Sequence, residues 1–226
     1  MTPVPAPSAA DTGVDLPRHI AVEGPIGVGK TTLATRLSQA LRYPLLLEPT
    51  TENPFLDRFY REGRRHALPT QLFFLLHRAR QVAALQDDLV GSVVVADFLI
   101  EKDRLFAELN LDADELAIYE QIWRSLDIRP PAPDLVIYLQ APPPVLIERI
   151  RHRGVGFEQH IRDEYLTNLC AAYTRFFHDY RDAPLLIVNA AEIDFAHEDR
   201  HFEALLDQLQ QFDGVRKYFN PNPTLL

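Results

Sequence analysis

The sequence predicts an α/β layered domain built on a parallel sheet, and three observations predict it. Short apolar runs recur along the chain, helical patterns lie between them, and the runs are near-continuous rather than alternating. Continuous apolar strands are those buried on both faces, as in a parallel sheet covered by helices on each side. Regular alternation of strand and helix is the pattern of a layered α/β domain. Pattern alone leaves the strand order open.

The first run, His19–Glu23 (HIAVE), is followed by a helical pattern over Thr31–Leu41 that places Leu33, Leu37 and Leu41 along one side. The second, Tyr43–Glu48 (YPLLLE), leads to a helix over Pro69–Leu85 carrying Leu72, Leu75, Leu76, Ala79 and Val82. The third, Ser92–Asp97 (SVVVAD), precedes a helix over Asp114–Leu126. The fourth, Leu135–Gln140 (LVIYLQ), is followed by helices over Pro144–Arg151 and Glu164–Tyr180, and Leu185–Asn189 (LLIVN) is the fifth. Prolines mark the boundaries. Pro69 suits a helix first turn, Pro130, Pro131 and Pro133 precede the fourth strand, and Pro142 to Pro144 lead into a helix.

Composition bounds the rest. At 226 residues, against about 150 per domain, one large domain is expected, able to bury a core without disulfides. The chain is 46% hydrophobic and 24% charged, which excludes wholesale disorder. Its 32 acids outnumber 23 Lys and Arg, for a formal charge of −9, which argues against a nucleic-acid binder. One cysteine, Cys170, excludes a disulfide framework and a cysteine zinc site. No apolar run reaches the ~20 residues of a membrane span and no signal-peptide pattern leads the chain, so a soluble, cytoplasmic protein is expected. Residues 1–17, with prolines at 3, 5, 7 and 17, are expected to form a flexible tail, 18–218 the domain, and 219–226 a second tail.

The sharpest motif is Gly24-Pro25-Ile26-Gly27-Val28-Gly29-Lys30-Thr31, which fits G-x-x-x-x-G-K-[ST] completely, with Thr32 next. It follows a strand and opens a helix, the context that confirms a phosphate loop. Glycines let backbone amides curl around phosphate oxygens, and the helix N-terminus adds positive potential. Lys30 is then placed to reach the β- and γ-phosphates of ATP, and the Thr31 hydroxyl to ligate Mg²⁺. Two acids stand at strand ends beside this loop: Glu48 after YPLLL and Asp97 after SVVVA. Phosphoryl transfer to a hydroxyl needs one carboxylate to take the proton and one to hold the metal or its waters. Arg149, Arg151 and Arg153 end a helix before Gly154 and Gly156; Arg149 and Arg153 share a face, as a mobile arginine lid would require.

With these residues in hand, the sequence resembles the deoxynucleoside kinase family over most of Arg18 to Gln211. The segments IAVEGPIGVGKTTLA, LLLEPTTENPFLDRFYRE, LPTQLFFLLHRARQ, PDLVIYLQAPP and ERIRHRGVGFEQHIRDEYL carry the resemblance, which is nearest to bacterial deoxyguanosine and deoxyadenosine kinases. It implies a three-layer P-loop kinase fold, with a five-stranded parallel sheet flanked by helices and a short arginine-rich lid. It also implies that Glu48 is the base toward the 5′-hydroxyl, that Tyr60 and Glu158 hold the 3′-hydroxyl, and that Gln71 reads the base edge. Arg78 and Asp103 accompany purine and cytosine recognition in that family, whereas thymidine-preferring relatives have apolar residues there. Gln71 and Arg78 lie two turns apart, on one helix face. Ile193-Asp194-Phe195 resembles the loop that holds the donor adenine. The resemblance implies a homodimer through helices such as ELAIYEQIW. From spacing, Phe73, Phe74 and Phe106 are expected in the core, one of them flanking the nucleobase.

The sequence departs from the family in three places. An arginine usually follows the acid of the third strand, but here the pair is Asp97-Phe98; Lys102 or Arg104 is the candidate replacement cation. The stretch from Asp97 to Phe106 is one residue shorter than in the animal enzymes, and Val155 stands where a third lid arginine is common.

Competing readings are weaker. His197-Glu198-Asp199-Arg200-His201 satisfies H-E-x-x-H, yet it lies in a polar stretch with no third ligand downstream, so a solvated helix face is expected. A GTPase switch needs Asn-Lys-x-Asp after a late strand, and VNAAEID lacks it. A thymidylate-like kinase must neutralise an acceptor phosphate, whereas Tyr60 and Glu158 suit an uncharged sugar. The expected reaction is therefore ATP-dependent phosphorylation of a deoxynucleoside, purine favoured, with deoxycytidine or broad specificity as the alternative.

Overall fold

A computed structural model describes residues 16–87, 93–196 and 198–221 of the chain. Among these residues six strands form one sheet: β1 (His19–Glu23), β2 (Leu45–Leu46), β3 (Val94–Ala96), β4 (Leu135–Gln140), β5 (Leu185–Asn189) and β6 (Arg216–Phe219). Their order is β2-β3-β1-β4-β5-β6 and every pairing is parallel. Among the described residues eight α-helices surround it: α1 (Lys30–Leu41), α2 (Leu56–Glu62), α3 (Ala67–Asp87), α4 (Lys102–Asn110), α5 (Ala113–Leu126), α6 (Pro143–Arg153), α7 (Asp163–Asp179) and α8 (Asp199–Gln210).

The expected sheet of five strands is corrected to six. The extra strand, RKYF, is an edge strand with no fully buried residue, so it carries no apolar run to betray it. Phe219, placed at the start of a tail from the sequence, ends this strand opposite Val188. At the other edge β2 shrinks to two half-buried leucines of the expected Tyr43–Glu48. The central strands follow the expectation, with burial almost continuous along β1, β3, β4 and β5.

The main core lies between sheet and helices. Ile20 and Val22, Leu135 to Leu139 and Leu185 to Val188 meet Leu33 and Leu37 of α1, Leu146 of α6, Leu166, Tyr173 and Phe177 of α7, and Leu205 of α8. Burying a side chain of this size contributes about 1.5–3 kcal/mol, so this contact set dominates folding. A smaller core of Ala67, Leu75, Ala107, Leu111 and Tyr119 joins α3, α4 and α5. Helix α5 begins with a capping box, Asp112 accepting from the Glu115 N–H while the Glu115 side chain accepts from Asp112. Helices α2 and α4 are short, seven and nine residues, and announce themselves weakly in the sequence, whereas α8 takes in the end of the His197–His201 stretch and buries Phe202, Leu205 and Leu209.

Strand β1 sits where successive strands pass to opposite sides of the sheet, and ligands gather at the carboxyl ends of strands at such a point. Its end runs into the glycine loop. Gly24 has φ +151°, and a Cβ there would collide with the Leu139 carbonyl oxygen; a Cβ on Gly27, φ +84°, would lie 2.8 Å from Ile150 Cγ1. Close approach and positive φ both demand glycine.

Candidate active site

One cleft opens above the carboxyl ends of β1 and β3. Ile26, Gly27, Gly29, Lys30, Thr31 and Thr32 line it from the loop, and Glu48, Tyr60, Gln71, Arg78, Asp97, Arg153 and Glu158 from elements around it. Gly24, Pro25 and Val28 complete the loop without facing the cleft. The Lys30 ammonium folds back on the loop, donating to the carbonyls of Gly24 (2.7 Å) and Pro25 (3.2 Å). Burial lowers its pKa, with the Glu23 carboxylate opposing.

The strand-end acids converge. Thr31 Oγ1 donates to Asp97 Oδ2 at 2.6 Å, and Asp97 Oδ1 accepts the Glu48 backbone N–H at 2.8 Å. Glu48 is clasped from two sides: Oε1 by the Arg78 guanidinium, and Oε2 by the Lys102 ammonium at 3.1 Å. Burial would push the Glu48 carboxyl up, but the Arg78 and Lys102 cations overcome it and hold it at about 2. Arg78 reaches the other way as well, its Nη1 lying 2.7 Å from Asp103 Oδ1. Asp103 is fully buried, and burial raises its pKa against the pull of Arg78. It stands behind Arg78 rather than on the cleft wall.

Elsewhere on the cleft wall the Tyr60 ring stacks on Phe157, interplanar angle 9°, while Arg153 pairs with Glu158. Burial pushes the Tyr60 hydroxyl up, the neighbouring Tyr165 and Glu158 adding to it. Gln71 is buried, its amide at the limit of hydrogen-bond reach, 3.5 Å, from the Asp103 carbonyl. The Arg78 guanidinium lies 5.2 Å over the Phe74 ring. Phe74 and Phe106 both line the cleft, and Phe73 stacks on His77 away from it.

The geometry groups a phosphate loop, a metal-type Thr–Asp pair, an ionised carboxylate and a polar–aromatic slot. The family model for deoxynucleoside kinases matches residues 20–213. The chain belongs to the deoxynucleoside kinase family. As a member it is an enzyme, a phosphotransferase. It is 36% identical over 198 residues to a deoxyguanosine kinase of Bacillus subtilis, covering 85% of this chain and 96% of that one. It is 34% identical over 180 residues to a deoxyadenosine kinase of Dictyostelium discoideum, covering 77% and 73%. The solved deoxyadenosine kinase of M. mycoides with products dCMP and dCDP superposes with TM-score 0.75 at 25% identity, covering 85% and 99%. Its dATP complex gives 0.73 at 26%, covering 84% and 97%.

Not every residue singled out in the sequence of this kinase faces the cleft. Arg149 turns away: its Nη2 donates to the carbonyls of Ala190 (2.8 Å), Ala191 (3.1 Å) and Ile193 (3.0 Å), pinning the loop after β5. Arg151 lies outside beside Asp163. Asp194 and Phe195 sit on that pinned loop, Phe195 buried and its carbonyl accepting from Arg36 at 2.7 Å. Of the histidine motif, His197 lies outside the described residues, and His201 is buried with Nδ1 facing the Asp194 N–H.

Two charged residues matter more than the sequence revealed. Lys102, suggested as a replacement cation, is buried and faces Glu48 directly; Arg104, the other candidate, is exposed and pairs with Glu108. Glu23, the last residue of β1, is buried completely beside the phosphate loop and Lys102. The available signal was an acid ending an apolar strand immediately before the phosphate loop.

Proposed function

We propose that this kinase transfers the γ-phosphoryl group of ATP to the 5′-hydroxyl of a deoxynucleoside, with deoxyguanosine or deoxyadenosine preferred and deoxycytidine next. The bond from phosphorus to the β–γ bridging oxygen breaks as the bond to the 5′-oxygen forms. ADP leaves, and the hydroxyl proton passes to Glu48. The observation that carries the reading is the placement of Glu48 between the phosphate loop and the Gln71–Arg78 pair, with Asp103 behind Arg78, so that an acceptor hydroxyl and a nucleobase can be held along one cleft.

Arg78 and Gln71 offer donors and an acceptor to a base edge, which suits the mixed pattern of purines and cytosine. Deoxyguanosine and deoxyadenosine kinases among the relatives support the purine choice. Tyr60 and Glu158 would take the 3′-hydroxyl, and the Glu158 carboxylate would repel an acceptor phosphate, which disfavours a nucleotide acceptor. Lys30 and Arg153 would balance charge on the transferring group. Arg149 would act indirectly, by holding the Asp194–Phe195 loop against the donor adenine.

Magnesium suits Thr31 and Asp97: both offer hard oxygen donors, already adjacent at the mouth of the loop. When bound there it would neutralise charge on the phosphate oxygens. A homodimer through α5 is proposed on the resemblance to the family. No helix among the described residues is long and apolar enough to cross a membrane, in keeping with a cytoplasmic enzyme. The kinase domain is taken to run from residue 18 through Phe219, where β6 ends.

The deciding experiment supplies ATP and Mg²⁺ with each deoxynucleoside in turn, with dTMP, and with no acceptor. Fastest turnover with deoxyguanosine or deoxyadenosine is expected. Turnover with dTMP alone, or equal ATP loss without acceptor, overturns the reading.

A further inference from the structure

Glu23 takes no part in the proposed steps, yet its carboxylate is as completely enclosed as that of Asp103. Its side chain is completely buried, and each oxygen is engaged. Oε1 accepts the Gly24 N–H at 2.8 Å and the Tyr173 hydroxyl at 3.0 Å. Oε2 accepts the Leu99 N–H at 2.8 Å and lies 3.5 Å from the Lys102 ammonium. Two backbone amides from the first residue of the phosphate loop and from the segment after β3 therefore fix the carboxylate. It has nowhere to turn.

Lys102 thus has two unlike partners. Glu23 is anchored and fully buried; Glu48, 3.1 Å away on the other side, keeps 12% of its side chain exposed and faces the cleft. While Lys102 stays on Glu48, that carboxylate is fully engaged by cations and is a poor acceptor for a hydroxyl proton. A buried ammonium cannot simply release its partner, because an unpaired buried charge is strongly unfavourable. It can move only if another anion keeps hold of it.

We propose that Glu23 is a positioning residue for phosphoryl transfer, acting through Lys102: it is the fixed counter-charge that retains the ammonium as Lys102 shifts from Glu48 toward the anionic oxygens of the transferring group. Arrival of that group then frees one Glu48 oxygen for the acceptor hydroxyl. Lys102 keeps its proton throughout; the hydroxyl proton goes to Glu48, and the phosphoryl bond exchange is the one described above. The arrangement makes the base available only when the donor phosphate is present. This inference rests on the kinase reading, and deepens it.

The test is a double-mutant cycle on steady-state kinetics with the best deoxynucleoside, using Glu23→Gln, Lys102→Met and the two combined. Wild-type turnover is measured first: if no deoxynucleoside is phosphorylated, the functional reading fails, and if one is, the cycle judges the inference alone. Each single variant is expected to lower kcat by about 30- to 100-fold while nucleoside KM stays within about threefold, the pattern of an interaction made in the transition state. The combined variant is expected to fall no more than about threefold below Lys102→Met, because the two act as one unit. Multiplying losses, an unchanged kcat in Glu23→Gln, or a rise in KM without loss of kcat would overturn the proposal, leaving Glu23 a structural clamp on the loop. If Glu23→Gln does not fold, Tyr173→Phe replaces it, since it removes one of the two hydrogen bonds to Glu23 Oε1 and leaves the Gly24 N–H in place. A fall in kcat of about threefold or more is then expected with Lys102 present, and none in a background carrying Lys102→Met; equal falls in both backgrounds overturn the proposal.

Discussion

The Thr31 hydroxyl donates to Asp97 Oδ2 across 2.6 Å, joining the first turn of α1 to the end of β3. The other Asp97 oxygen holds the Glu48 amide, so one carboxylate sets the positions of the phosphate loop and the proposed base together. Asp97→Asn keeps the size and part of the hydrogen bonding but removes the charge. The expected outcome is a loss of about 100-fold in kcat with a higher Mg²⁺ requirement. Titration of activity against Mg²⁺ checks it; an unchanged Mg²⁺ dependence would remove Asp97 from the metal role.

Arg78 has partners on both sides, Glu48 and Asp103, and all three are buried or nearly so. Arg78→Met leaves Asp103 with a buried, uncompensated charge, and is expected to cost about 3–5 kcal/mol of stability. Thermal melts measure that. At temperatures where the variant is folded, use of purine deoxynucleosides is expected to weaken more than use of thymidine, and an equal loss for both would separate Arg78 from base selection.

Acid should act on Glu48 in a calculable direction. Its carboxyl is held at about 2 in the folded protein against an ordinary value of 4.5. The unfolded chain therefore takes up this proton first as pH falls, so the stability that Glu48 contributes is complete above about pH 4.5 and is lost toward pH 2. Asp103, with its pKa raised, works in the opposite sense. Urea unfolding from pH 6 to pH 2 should show a steeper loss for wild type than for Glu48→Gln. Parallel curves would refute the assignment.

The glycine loop offers a test of close packing. A Cβ on Gly24 meets the Leu139 backbone, which cannot give way, whereas one on Gly214 has no neighbour nearer than 3.9 Å. Gly24→Ala is expected to destabilise by more than about 2 kcal/mol and Gly214→Ala to stay within about 0.5. Denaturant midpoints for the two variants decide it.

Much of this was legible in the chain because it rests on local rules. Continuous apolar runs such as LVIYLQ announce strands covered on both faces, and β4 is buried along all but its last residue. The glycine-lysine-threonine loop announces itself because backbone curvature and helix start are encoded within a few residues. The sixth strand escaped notice for the complementary reason: an edge strand half in solvent needs no apolar run, and RKYF has none. The arginines show the same limit. Spacing put Arg149 and Arg153 on one helix face, but Arg149 is captured by the carbonyls of a loop some forty residues onward, |i−j| = 41 for the first of them.

By itself the sequence determined the α/β class, the phosphate loop and the chemical types gathered around it: carboxylates at two strand ends, a glutamine and an arginine two turns apart, and a phenylalanine, Phe98, where an arginine is usual, with Lys102 and Arg104 shortly after it. Tertiary structure alone decided which of these touch. Glu23 meets Leu99 across 76 positions of sequence, and Lys102 meets Glu48 across 54. A buried charge takes whichever partner the packed elements bring within reach, and that choice depends on how β1, β3 and α4 come together, which no local pattern encodes.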